Sequence, residues 1–117
     1  MSDFMWPTRY PRARKEHTCG ECWRTIRVGE TYARHAGRDD GNTWNAIVCA
    51  HCEVVAEYFV EVDGEVFYGG VGETLEYAET YKELRFLLGM RKKWTRKDGT
   101  LMNLPTNSMS IELTGRG

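Results

Sequence analysis

Cys19-Gly-Glu-Cys22 and Cys49-Ala-His-Cys52 are two CxxC pairs separated by 26 residues, and together they hold every cysteine of the chain. Four thiols at this spacing predict a single tetrahedral site closed around one Zn²⁺, with no open coordination position and hence a structural metal. The two residues inside the first pair let the backbone curl into a knuckle that aims both sulfurs at one point, with Gly20 expected to supply the turn. The second pair suits the first turn of a helix, where residues three apart share a face. Disulfides and a redox CxxC are the alternatives. The start, Met-Ser-Asp-Phe-Met-Trp-Pro, lacks the basic region and apolar run of a secretory signal, and no βαβ pattern surrounds either pair, so both are disfavoured.

Working outward, Thr31 to Ala36 and Thr43 to Val48 read as two strands. The turn formers of Gly37-Arg-Asp-Asp-Gly-Asn lie between them and predict a hairpin. From Ala50 to Val62 the apolar residues Val55, Ala56, Phe59 and Val62 fall at helical spacing. Asp63-Gly64 ends that helix, and the glycine-rich connection to Gly72 has room for a short strand at 65–68. A second helix is expected from Glu73 to Met90, with Ala78, Tyr81, Leu84, Leu87 and Leu88 on its packed stripe and Gly89 as its stop. Asp98-Gly99 then predicts a tight turn closing a small hairpin between Trp94 and Leu101. The reading is thus a small α+β domain in four parts: a basic, aromatic arm (1–16), a zinc-stabilised treble clef of knuckle, hairpin and helix (17–62), a second helix with a closing C-terminal hairpin (63–104), and a loosely held tail (105–117).

The chain has 117 residues with a net charge of −1 and no stretch of membrane-spanning length, so a soluble, cytoplasmic protein with no membrane partner is expected. In so small a core, metal binding on the order of 10 kcal/mol is a large share of the stability. Charge is unevenly spread. Residues 1–38 carry eight Lys/Arg against four Asp/Glu, residues 53–83 one against nine, and residues 84–97 six against none.

The distribution defines the candidate sites. Arg9, Tyr10, Arg12, Arg14 and Lys15 in the arm, and Arg91, Lys92, Lys93, Trp94, Arg96 and Lys97 after the second helix, mix cations for phosphate with aromatics able to stack on bases. They predict a nucleic-acid surface, provided the two segments converge. Glu53, Glu57 and Glu61, spaced i, i+4, i+8, form an acidic helix face that is expected to be solvated or to meet a basic protein partner. An enzyme is not expected. His35 would be the base of a His-metal nuclease, but no histidine follows His51, which is expected to face outward. No glycine-rich phosphate loop follows a strand, and no small-molecule substrate is implied. His17 is expected either beside the ligands without joining them or exposed, because four cysteines complete the set.

The segment from His17 to Cys52, with Ile26, Gly29-Glu30-x-Tyr32 and Trp44 between the pairs, resembles small zinc-binding treble-clef proteins of tailed bacteriophages. The stretch from Leu87 to Met102 is similar to the C-terminal part of some of them. The resemblance implies a phage accessory protein of unknown role, built on a zinc scaffold and, if phage-encoded, acting in the cytoplasm of the infected host.

Overall fold

The computed structural model describes residues 4–64, 66 and 68–105, and shows a small α+β domain. Its strands are β1 (Phe4–Met5), β2 (His17–Thr18), β3 (Thr25–Ile26), β4 (Tyr32–Asp39) and β5 (Asn42–Cys49). Its helices are α1 (Ala50–Asp63), α2 (Val71–Leu75) and α3 (Tyr81–Arg91). The expected tail, apart from Pro105, and the expected short strand at 65–68, in large part, lie outside the described residues.

β4 and β5 form the expected hairpin, but the turn is tighter than the run of turn formers suggests. Only Asp40 and Gly41 form it, both with positive φ (51° and 83°), so the strands run on to Asp39 and Asn42. Two left-handed residues give a primed turn whose twist matches that of the strands, and Asp-Gly is the pair that tolerates it. Gly37 and Arg38 therefore belong to β4. The extended arm docks on the hairpin. β1 adds to β4 as a third strand, and further bridges join Arg9 to Arg34 and Arg12 to Thr31. The register slips by one residue between Trp6, whose N–H reaches Ala36 O, and Arg9, so Pro7 and Thr8 together oppose His35.

Alternation in β4 sends Ala33, His35 and Gly37 inward, toward α1, and Arg34 and Arg38 to solvent. α1 begins at Cys49 as N-cap and stops at Gly64, which adopts the left-handed conformation and returns its N–H to Val60 O. It buries Val55, Ala56, Tyr58 and Phe59 against a core completed by Ile26, Val48, Val71, Leu75, Phe86 and Met90.

The second helix differs from expectation in two ways. It is split at 76–80, because Thr80 caps a new helix: its hydroxyl accepts the Glu83 N–H while the Glu83 carboxylate accepts the Glu79 N–H, a variant of the capping box. The buried face of α3 is Lys82, Phe86, Leu87, Gly89 and Met90, leaving Tyr81, Leu84 and Leu88 exposed. Gly89 does not stop the helix, which continues to Arg91. Lys93 N–H returns to Met90 O and Trp94 N–H to Gly89 O, a Schellman end with two non-glycine residues at positive φ (53° and 57°). Gly89 is needed for space instead: a Cβ there would lie 2.2 Å from the Trp94 ring. After Trp94 the expected closing turn forms, with the bridge Thr95 to Leu101 around Asp98 and Gly99.

Candidate metal centre and flanking surfaces

β2 and β3 form a short ladder, His17 with Ile26 and Thr18 with Thr25, and the first CxxC lies in the turn between them. Cys19 N–H bonds to Arg24 O, and Trp23 N–H to Cys19 O, which closes the knuckle. Its left-handed residue is Trp23 (φ 68°), not Gly20. Gly20 is required by proximity: its N–H donates to Ile47 O, and a Cβ would stand 3.3 Å from that oxygen. Cys49 at the end of β5 and Cys52 in the first turn of α1 bring the second pair to the same point.

The four cysteines are buried and unpaired, with sulfurs within 4.8 Å of one another and Cys22 3.9 Å from Cys49. Thiolates about 2.3 Å from a tetrahedral centre sit about 3.8 Å apart, whereas a disulfide would need about 2.05 Å. The geometry can hold one metal ion and is not that of a disulfide. The surroundings suit thiolates. Cys19 Sγ accepts N–H bonds from Glu21 (3.4 Å) and Cys49 (3.3 Å), and Cys52 Sγ accepts the Trp94 indole N–H at 3.3 Å. Such donors orient ligands and spread their negative charge.

Around this centre are groups that the linear pattern did not reveal. Arg24 is buried and grips Glu30 with both terminal nitrogens (2.7 and 3.2 Å), placing a cation beside the cluster. Glu21 is turned inward and accepts the Gly69 and Val71 N–H groups, tying the knuckle to the start of α2. His51 does not face outward as predicted. It is buried, donating from Nε2 to Met102 O at 2.6 Å, and so fastens the C-terminal segment to α1. His17 pairs with the Tyr32 hydroxyl at 3.3 Å.

Glu53 is not part of a solvated acidic face. It is buried and bonds His35 Nε2 at 2.8 Å, while Thr8 Oγ1 lies 2.9 Å from His35 Nδ1 and Tyr68 stacks on the ring at 4.1 Å. His35 is 1 % exposed and both its nitrogens are engaged. Glu57 and Glu61 remain exposed, and Glu57 is raised by partial burial and then by its carboxylate neighbours Glu53 and Glu61.

The expected basic residues are divided. Trp94 is 3 % exposed and belongs to the core, so it is not free to stack on a base. Arg96 is folded back onto the Thr100 hydroxyl, Leu101 O and Asn103, which makes it a brace for the closing turn. Tyr10 lies on the α1 side, where burial and then Glu53 and Glu57 raise its phenol, whereas Arg9 pairs with Arg34 of β4. Arg14, Lys15, Arg91, Lys92 and Lys97 are exposed. The two segments meet at the loop 27–30. Arg12 Nε donates to Gly29 O on one side of it, and on the other a cleft of about 720 Å³ is lined by Trp23, Arg27, Val28, Lys93, Thr95 and Leu101, among others. No helix among the described residues is long and apolar enough to cross a membrane. Comparison with protein-family models, with curated proteins and with solved structures finds no match to this chain.

Proposed function

We propose that the metal is Zn²⁺, that knuckle, hairpin and helix constitute a treble clef around it, and that this scaffold presents a nucleic-acid-binding surface, as in an accessory factor of the phage type. The donor set of four thiolates, with no fifth protein ligand among the described residues, fits zinc in a structural role. The observation that carries the binding reading is the cleft beside loop 27–30, where Trp23 is 68 % exposed in a left-handed backbone conformation, next to Arg27 and Lys93 and within one loop of Arg12. A large aromatic held out of the core in a strained conformation is uncommon without a use, and cations flanking an exposed ring are the elements of a backbone-tracking, base-stacking groove.

The test is titration of labelled single-stranded and duplex oligonucleotides from low to moderate salt. Salt-dependent binding is expected, and replacing Arg27 and Lys93 by Gln should reduce the salt slope by about one for each phosphate contact removed. No binding at low salt would end this reading. A second reading, a module for a basic protein partner, draws on exposed Glu57 and Glu61 and on the exposed Tyr81, Leu84 and Leu88 of α3. A complex that survives nuclease treatment and is lost on changing Glu57 and Glu61 to Gln would favour it. Burial of His35 between Thr8 and Glu53 weighs against using it as a nuclease base.

A further inference from the structure

The outer face of the three-stranded sheet carries a second group of cations away from the knuckle cleft. Arg9 and Arg34 are directly opposed across the strands, exchanging both backbone hydrogen bonds (3.1 and 2.8 Å), so their side chains rise side by side from the same face. Like charges in directly opposed positions destabilise a sheet. Neither has a carboxylate within ion-pair distance among the described residues, and both are exposed. Arg38 stands farther along the same face of β4.

Between these cations the floor is low. Ala36 occupies the position between Arg34 and Arg38, and Trp6, 41 % exposed, lies beside it, its N–H bonded to Ala36 O. The result is a half-open cleft of about 470 Å³ lined by Trp6, Pro7, Thr8, Arg9, Arg34 and Ala36, a size that takes a small planar ligand. The slip at Pro7 and Thr8 builds it, because Thr8 turns inward to His35 while Trp6 and Arg9 stay on the outer face.

We propose that this cleft binds one unpaired nucleotide of a single-stranded nucleic acid, the base against the Trp6 ring and the phosphate between Arg9 and Arg34. The inference rests on the nucleic-acid reading above and extends it to a separate subsite that prefers single strands. An indole offers an apolar face to any base, and paired guanidinium groups match the bidentate geometry of a phosphate. A duplex keeps its bases stacked inside and can present only its backbone here.

The experiment is fluorescence anisotropy with a labelled oligothymidine and a duplex of equal length, on the zinc-loaded full chain and on Trp6→Leu, Arg34→Gln and the Arg27→Gln/Lys93→Gln pair. Circular dichroism confirms the fold of each variant. Trp6→Leu and Arg34→Gln are expected to weaken single-strand binding about tenfold and leave duplex binding within twofold, while the Arg27/Lys93 pair weakens both. Wild-type single-strand affinity in both sheet-face variants would overturn the subsite and leave the nucleic-acid reading standing. Equal loss on both ligands would also overturn it, reducing the face to general charge attraction. Equal competition by a poly-glutamate peptide would do the same, and absence of any binding by the wild-type chain would remove both proposals.

Discussion

Replacing Gly89 by Ala tests the packing around the cysteine cluster most directly, because two effects of opposite sign meet there. In an ordinary helix interior alanine is favoured over glycine by about 1 kcal/mol. Here the new methyl would fall 2.2 Å from one carbon of the Trp94 ring and 2.6 and 2.7 Å from two others, against an ordinary contact of about 3.5–4.0 Å. The ring cannot swing away freely. Its backbone N–H is held by Gly89 O at 2.8 Å, and its indole N–H by Cys52 Sγ at 3.3 Å. Overpacking of this kind costs roughly 2 kcal/mol and loss of the N–H···S bond about 1, so after the propensity gain a net loss of about 2 kcal/mol is expected. For a chain of this length that lowers Tm by about 8 °C. The assay is thermal unfolding followed by circular dichroism at fixed excess Zn²⁺, with the absorption of the Co²⁺-substituted protein reporting the thiolate site. The control is the same change in a Trp94→Leu background, where the space is open. There the alanine should raise Tm by about 4 °C, giving a coupling of about 3 kcal/mol between the two positions. An increase in Tm in the wild-type background, or equal shifts in both, would refute the argument.

Chelation of the metal should unfold at least the first half of the domain, and an unchanged circular dichroism spectrum after verified metal removal would contradict it. Glu30→Gln leaves the buried Arg24 without its carboxylate and should cost roughly 2–3 kcal/mol near neutral pH in denaturant titrations. Burial alone would raise Glu30, but hydrogen bonds from Arg24 and the Arg27 N–H hold it below its ordinary 4.5, so its contribution is present above that value and fades as pH falls through the lower folded value. The gap between wild type and variant must therefore narrow below about pH 4.5, and a gap that widens in acid would invalidate the assignment. Trp23→Gly removes a left-handed strain on the order of 1 kcal/mol and should raise stability while weakening nucleic-acid binding; unchanged affinity would show that the exposed ring has no part in it. Thr80→Ala should lose about 1 kcal/mol, and a null effect would mean that the cap of α3 contributes nothing.

Much of the cysteine cluster was legible in the chain because CxxC spacing states a local geometric requirement: each pair needs only its own turn or helix start. The hairpin and α1 were legible for the same reason, through turn residues and period. What failed to show is the part decided by distant partners. Glu53 shares helical spacing with Glu57 and Glu61, but the arm and Tyr68 cover that end of α1 and His35 comes within 2.8 Å, so one carboxylate of three is interior. Trp94 sits in a basic run, and only the approach of α3 to the second CxxC draws it inward. Gly89 read as a stop because a glycine near a helix end usually is one, and its real constraint is a ring five residues away. The split at Thr80 had a readable signal, Thr-x-x-Glu, masked by the apolar residues on both sides. The outward face of Arg34 and Arg38 was also readable from alternation in β4, but its pairing with Arg9 required the arm to become a strand.

The chain of contacts from Thr8 through His35 to Glu53 ends one residue from Cys52. The edge strand of the sheet and the first turn of the ligand-bearing helix are thus fastened at a shared buried joint, and neither can settle without favouring the other. Thermodynamic reciprocity then links two places that never touch: by whatever factor a docked arm favours an ion at the cysteines, an ion there favours the docked arm. A ligand that binds only the docked arm, such as the strand proposed for Arg9 and Arg34, would on that account raise the affinity of the four cysteines for an ion.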